Sequence, residues 1–186
     1  MKVGLKIGLL AVVLSAVAAL VFWFAAPIRS TTTVTMPSEA PLPEDAVIDR
    51  LVVHKSKRTM SAYSQGRLLK IYPISLGKQP VGHKQFEGDG KTPEGKYRIN
   101  ERNPNSGYHK NLGVSYPNEA DKTYAAAQGK SPGGLIKIHG MKNGWGFIGK
   151  KHLQKDWTNG CIAVTDEEID ELYRSVKHNA EIEILP

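Results

Sequence analysis

Two stretches decide the reading of this chain: Ile136-Lys137-Ile138-His139-Gly140 and, further on, Asp156-Trp157-Thr158-Asn159-Gly160-Cys161-Ile162-Ala163-Val164. The first is an apolar, strand-like run that delivers His139 to a glycine turn. The second holds the only cysteine in 186 residues and continues into another short apolar run. Two neighbouring strands presenting an imidazole and a thiol at the same end is the simplest arrangement. That pairing suits nucleophilic catalysis, in which a thiolate attacks a carbonyl and an imidazole manages the protons.

Outward from this pair, the rest of the chain reads as β-structure. Leu51-Val52-Val53 is a β-branched run, and Ser64-Gln65-Gly66-Arg67 is a turn leading into Leu68–Ser75, a hairpin signature. Gly88–Tyr97 superficially resembles a phosphate loop. Gln85 and Tyr97 break the pattern in either frame, and no helical run follows, so it reads as a tight loop entering a strand at Tyr97-Arg98-Ile99. Residues 100–133 are polar and rich in Asn, Gly and Pro, which predicts a functional loop or lid, with a helical turn or two at Ala125-Ala126-Ala127. Thr165-Asp166-Glu167-Glu168 is a capping box, and Ile169, Leu172, Tyr173 and Val176 continue it at helical spacing to His178-Asn179. Glu181–Leu185 alternates as a last strand. The expected fold is mainly β, a sandwich or barrel-like domain with one or two short helices.

The first thirty residues read separately. Lys2 and Lys6 precede Ile7–Ile28, a run of 22 residues without a charge. Roughly 20 apolar residues span a bilayer, whereas a cleaved signal has an apolar core of about 7–15. The run ends in Val-Phe-Trp-Phe, bulky where cleavage needs small residues, although Ala25-Ala26-Pro27 offers a cleavage site. The expected division is a membrane anchor or signal sequence at 1–29, a Thr/Ser/Pro-rich linker at 30–46 and a catalytic domain at 47–186. Lysines before the run, with neither Lys nor Arg from Ser30 to Pro43, orient the domain out of the cytoplasm, in the periplasm or cell-wall space. The expected protein is therefore a single-pass protein of the cytoplasmic membrane, inserted through residues 7–28.

That placement gives the composition meaning. An exported domain with one cysteine forms no internal disulfide, and an odd thiol in an oxidising compartment is either a reactive group or a small buried hydrophobe. Two of the 25 basic residues precede the apolar run and all 18 acidic residues follow it, so residues 29–186 carry a net charge of +5. No basic run has the length of a nucleic-acid patch, and nucleic acid is excluded as a partner. His152 is a rival base, but Lys150, Lys151 and Lys155 around it predict a solvated loop and disfavour its protonated form. Zinc held by His139, His152 and Cys161 lacks any supporting motif. For the cysteine itself, a nearby imidazolium, a helix start or aligned amides would have to pull the thiol below its free pKa.

His139-Gly140 with Thr158-Asn159-Gly160-Cys161-Ile162 resembles the active-site signature of the L,D-transpeptidase catalytic domain, an upstream His-Gly followed by Ser/Thr-His-Gly-Cys and an apolar residue. Asp89-Gly90-Lys91-Thr92-Pro93-Glu94-Gly95-Lys96-Tyr97 is similar to a loop common in that family. The likeness runs from about Ile48 to Ile184. It implies a thiol enzyme that acylates itself on peptidoglycan stem peptides, releases D-alanine and passes the acyl group to an amine or to water. It implies no metal and no cofactor. Carried over by position, Cys161 is the nucleophile and His139 the base. The Gly140 carbonyl orients His139, and the Gly160 and Cys161 amides form the oxyanion hole. Trp157, Thr158 and Asn159 are then substrate-binding candidates.

The chain departs from the pattern in three places. Asn159 replaces the usual histidine, Ala163 replaces the usual arginine, and the interval from His139 to Cys161 is longer. Asn159 hydrogen-bonds but does not titrate. The acceptor is thereby left open, a murein-bound lipoprotein included. A hydrolase on the same scaffold differs only in admitting water. A non-catalytic wall-binding module has no need of the thiol. A sortase would carry Thr-x-Thr-Cys and an arginine on a later strand, whereas Arg174 falls in the predicted helix.

Overall fold

The computed structural model describes residues 40–186. The expected membrane segment at 7–28, and the linker as far as residue 39, lie outside the described residues. Among the described residues no helix is long and apolar enough to cross a membrane.

Among the described residues eight strands run in chain order as β1 (Ile48–His54), β2 (Thr59–Ser64), β3 (Arg67–Pro73), β4 (Gly95–Ser106), β5 (His109–Val114), β6 (Lys137–His139), β7 (Ile162–Ala163) and β8 (Val176–Leu185). They form one sheet in the order β3-β2-β1-β8-β4-β5-β6-β7. The predicted hairpin is β2–β3. Gln65 (φ 48°) and Gly66 (φ 77°) both take the left-handed conformation that a two-residue hairpin turn requires. β1 lies inside the sheet, and Leu51, Val52 and Val53 are all buried, whereas β8 alternates buried Ala180, Ile182 and Ile184 with outward Glu181 and Glu183.

The sheet curls. β4 pairs with β8 over Gly95–Arg98 and with β5 from Ile99 onward, so one strand serves two halves that fold toward each other. Beyond β3 the chain lies along the segment entering β7. Ser75 and Ala163 exchange backbone hydrogen bonds at 3.0 and 2.8 Å, and Lys78 N donates to the Thr158 carbonyl at 3.0 Å. The two edges of the sheet are thereby brought together around a core that includes Leu51, Met60, Tyr72, Ile99, Leu112, Ile138, Ile162 and Ile182. The barrel-like expectation is met by this curled sheet.

Among the described residues three short helices accompany it: α1 (Glu119–Ala127), a 3₁₀ segment (Gly146–Gln154) and α2 (Asp166–Ser175). One or two were expected, and the 3₁₀ segment was not among them. The capping box of α2 forms as read, with Thr165 Oγ1 accepting from Glu168 N and Glu168 Oε2 accepting from Thr165 N. The helix ends earlier than its spacing predicts, because Val176 pairs with Ile48 and the chain passes directly into β8. Long-range pairing of a β-branched residue prevails there over local periodicity.

The predicted loop over 100–133 is a larger correction. Residues 100–106 complete β4, the chain turns at Gly107-Tyr108, and β5 returns to pair with β6. Much of this hairpin is solvent-exposed on the β4 side, with Asn100, Glu101, Pro104 and Asn105 outward, so its composition is that of a loop while its backbone is paired.

Candidate active site

β5 and β6 pair through Asn111–His139, and β6 and β7 run parallel with Ile138 opposite Ile162 and His139 opposite Ala163. Cys161 immediately precedes β7 and is therefore level with Lys137, not with His139. The expectation that thiol and imidazole sit at the same end of their strands is corrected. His139 is at the exit of β6, and Cys161 is at the entry to β7. Residues two apart on a strand share a face, and both side chains line one cavity of about 430 Å³.

His139 is 6% exposed. Its Nδ1 lies 2.7 Å from the Gly140 carbonyl oxygen. A carbonyl only accepts, so Nδ1 carries the proton and donates, which leaves Nε2 as an unprotonated base. The ring is held between Tyr108 and Trp157, with centroid separations of 4.8 and 5.7 Å. Burial lowers its pKa below the ordinary imidazole value, and the Gly140 hydrogen bond offsets part of that.

Cys161 is half-buried, and its thiol donates to the Leu135 carbonyl at 3.6 Å. Leu135 holds φ 58°, an uncommon conformation for a non-glycine residue, and its side chain is exposed. Burial pushes the thiol pKa up, while a backbone hydrogen bond and the nearby Lys137 and Lys84 charges oppose it. The sequence reading asked for a thiol lowered below its free value. The structure has the opposite, because the group is desolvated. At rest the pair is a thiol and a neutral imidazole.

Thr158 organises the turn before the thiol. Its Oγ1 donates to the Cys161 carbonyl at 2.7 Å and accepts from the Gly160 amide at 3.1 Å. The Gly160 amide, one of the two expected oxyanion donors, is thus already engaged within the turn. Gly160 has φ +132°, and a Cβ there would lie 2.6 Å from the Lys91 carbonyl oxygen. Only glycine lets the Gly88–Tyr97 loop pack so closely behind the thiol turn. Gly77 is equally tight, its would-be Cβ 2.2 Å from the Gly90 oxygen. Three side chains pin the loop: Thr92 Oγ1 accepts from Gly77 N, Asp89 accepts from three backbone amides, and Lys55 Nζ donates to Gly82 O, Thr92 O and Glu94. The loop enters β4 as its sequence predicts, and it also braces the thiol turn.

Asn159 lines the cavity and accepts from Lys78 Nζ at 3.3 Å. Trp157 lines it beside His139. Sequence reasoning missed Ser106, Tyr108 and Asn111, which the β4–β5 hairpin brings to the same cavity, together with Leu135 and Lys137. Pairing partners of β6 are not visible in local pattern. His152 was expected in a solvated loop and is instead 6% exposed, with Nδ1 3.1 Å from Ser75 Oγ.

A thiol, an imidazole fixed by a carbonyl and a glycine turn on a curled sheet is a constellation that can be compared directly. Residues 48–184 match the family model YkuD, L,D-transpeptidase catalytic domain. The chain belongs to this family. YafK of Escherichia coli (strain K12), which carries an L,D-transpeptidase name, is 31% identical over 131 residues, covering 67% of this chain and 45% of YafK. The L,D-transpeptidase-named YkuD of Bacillus licheniformis is 26% identical over 142 residues, 76% of this chain and 68% of that protein. Among solved structures, the helical cell shape determining protein Pgp2 from Campylobacter jejuni superposes with a TM-score of 0.57 at 28% identity, covering 75% of this chain and 48% of Pgp2. The chain thus spans about half the length of YafK and of Pgp2.

Proposed function

We propose that this domain is a cysteine-dependent L,D-transpeptidase acting on peptidoglycan stem peptides. The observation that carries the reading is that Cys161 and His139 line one cavity, with His139 Nδ1 tied to the Gly140 carbonyl and Nε2 left as base. Family membership supplies the substrate class.

In this mechanism Nε2 of His139 takes the Cys161 proton as Sγ attacks the carbonyl at the L-centre of the third stem residue. Charge develops on the former carbonyl oxygen, and the Cys161 amide stabilises it. Collapse breaks the C–N bond, and the imidazolium returns its proton to the departing D-alanine amine. A thioester remains. An amine of a second stem, or of a murein-bound lipoprotein, then attacks it with His139 again as base, and Cys161 recovers its proton on release. Water in place of the amine makes the same site a hydrolase.

Trp157, Thr158 and Asn159 contribute to the substrate cavity. Lys2, Lys6 and the uncharged run 7–28 support placement of the domain outside the cytoplasm on a single membrane anchor. Remodelling of the cell wall is the role these features fit, and Pgp2, a similar protein, is named for determining cell shape.

Incubating the protein and its Cys161→Ala variant with purified peptidoglycan, with products read by mass spectrometry, tests the reading. A thiol-dependent crosslink supports transpeptidation. A thiol-dependent tripeptide or released lipoprotein peptide selects hydrolysis. Identical digests from the two proteins refute both.

A further inference from the structure

The cavity that Cys161 and His139 share also holds a cation that the proposed proton transfers do not use. Two lysines line it, Lys78 and Lys137, and none of its lining residues is acidic. Lys137 Nζ donates to Glu101, so that carboxylate balances its charge. Lys78 differs. Its Nζ donates to Asn159 Oδ1 at 3.3 Å, and among the described residues no carboxylate pairs with it. An ammonium has three N–H donors, so two remain after the bond to Asn159.

The backbone fixes where this charge stands. Lys78 N donates to the Thr158 carbonyl at 3.0 Å, and Gly77 is bridged to Thr158. A Cβ on Gly77 would lie 3.0 Å from Gly160 Cα, so the segment carrying Lys78 runs directly against the thiol turn. Asn159, which receives the ammonium, is two residues before Cys161. It stands where the L,D-transpeptidase pattern has a histidine. An imidazole loses its acceptor when it protonates, whereas the amide oxygen of Asn159 accepts at any pH. The residue that departs from the pattern thus holds a permanent cation beside the nucleophile. A cleft lined by one sign of charge attracts the opposite sign.

We propose that Lys78 is a specificity-determining residue that pairs with a carboxylate of the stem peptide. The inference rests on the proposed function, and it names the charged group by which the site selects its substrate. Two carboxylates have the required chemistry. One is the terminal carboxylate of the departing D-alanine, a single carbon away from the scissile nitrogen. The other belongs to an earlier residue of the stem. In either case Asn159 orients the ammonium and Lys78 supplies the charge.

The full chain carrying Cys161→Ala, purified in detergent, permits binding without turnover. Calorimetry then gives Kd for three ligands: a stem tetrapeptide, the same peptide ending in D-alaninamide, and the same peptide with its earlier carboxylates amidated and its terminus free. Each measurement is repeated with Lys78→Met added, which keeps the length of the side chain and removes its charge. Lys78 is exposed, so the change spares the core. The tetrapeptide should bind about 3–10-fold more weakly to the Lys78→Met protein, the range from an exposed ion pair to a charge-assisted hydrogen bond. One or both amidated peptides should already bind more weakly to Lys78, by a similar factor, and be insensitive to Lys78→Met. The amidated position that removes the sensitivity identifies the carboxylate. Lys78→Arg should restore most of the loss, and added salt should shrink the difference. An unchanged Kd for the tetrapeptide, equal weakening of all three peptides, or no binding of any of them overturns the proposal. Acylation of Cys161 by the tetrapeptide in the chain with its thiol intact, read by intact mass, is a separate outcome. Acylation without Lys78-dependent binding refutes this assignment alone. Lys78-dependent binding without acylation refutes the thiol reading and leaves the carboxylate site standing.

Discussion

Nδ1 of His139 lies 2.7 Å from the carbonyl oxygen of Gly140, the next residue in its own chain. The contact selects the tautomer without a carboxylate partner, so the base is oriented but carries no compensating negative charge. Burial then lowers its pKa below the ordinary value of about 6.5. In the proposed reaction the competent form is the neutral imidazole, and its fraction rises as pH rises through that lowered pKa. Acylation by a stem tetrapeptide should therefore reach half its plateau below pH 6.5. His139→Ala should cost roughly 10²–10⁴-fold, the usual worth of a general base. Asn159, whose side chain meets Lys78 Nζ at 3.3 Å, should cost about 10–100-fold on change to Ala, equivalent to one lost interaction of roughly 1.4–2.7 kcal/mol. A larger loss from Asn159→Ala, with a near-normal pH profile in His139→Ala, would require a different base.

The thiol gives an independent reading of the same electrostatics. Desolvation raises the Cys161 pKa, so at neutral pH the group is a protonated thiol. Alkylation by iodoacetamide, followed across pH, should have its midpoint above the roughly 8.5 of free cysteine. Cys161→Ala should accept no label and unfold at nearly the wild-type temperature. A midpoint well below 8.5 would mean that thiolate and imidazolium coexist at rest.

How far the sequence foretold this site depends on how local each signal is. His139 and the lone Cys161 stood out, each beside a glycine and a short apolar run, and the Thr165–Glu168 capping box formed where its spacing put it. Tyr108 and Asn111 were hidden because their hairpin is largely polar and depends on β6 for pairing, a contact far away in sequence. The same cause misplaced the end of α2, where Val176 is claimed by Ile48. His152 was hidden for a different reason. Lysines flank it in sequence, but their side chains point to solvent while its own ring turns inward to Ser75.

Gly160→Ala tests whether the brace behind the thiol turn matters. The added methyl would meet the Lys91 carbonyl at 2.6 Å and the Ile136 side chain at 3.2 Å, with φ +132° unfavourable for any other residue. Backbone strain of this kind costs on the order of 1–3 kcal/mol. Tm should fall by several degrees, and acylation should fall further, because the turn carries Cys161. A variant with wild-type Tm and rate would show that the loop yields freely.

Lys55 pins the same brace from the far side. Lys55 is 2% exposed, and its ammonium donates to Gly82 O, Thr92 O and Glu94. Lys55→Met keeps the stem but leaves two carbonyls and a carboxylate without their donor. Breaking a buried pair from one side typically costs about 3–5 kcal/mol. Glu94 retains some exposure, so the lower end is expected in urea unfolding. Lys55→Met with Glu94→Gln should recover part of the loss. No recovery would place the cost in the two carbonyls and not in the ion pair.

Acid stability should depend on His152. Burial, with a smaller contribution from the charge of His139, lowers its pKa to about 4. Unfolding releases it to about 6.5. Between these values the unfolded chain binds more protons than the folded one, so stability falls as pH falls and is fully present above pH 6.5. His139 acts in the same direction. The depressed carboxylates Asp89, Asp170 and Glu171 act lower, as pH falls through their own values, and Glu168, raised by burial, acts with the opposite sign. Comparing variants isolates the histidine. His152→Phe leaves Ser75 Oγ its bond to the residue 152 carbonyl and removes one titrating group. Its Tm should decline less than that of the wild type between pH 7 and about 4.5, whatever its absolute stability at pH 7. Parallel decline in the two proteins would mean that His152 protonates in place without leaving the fold.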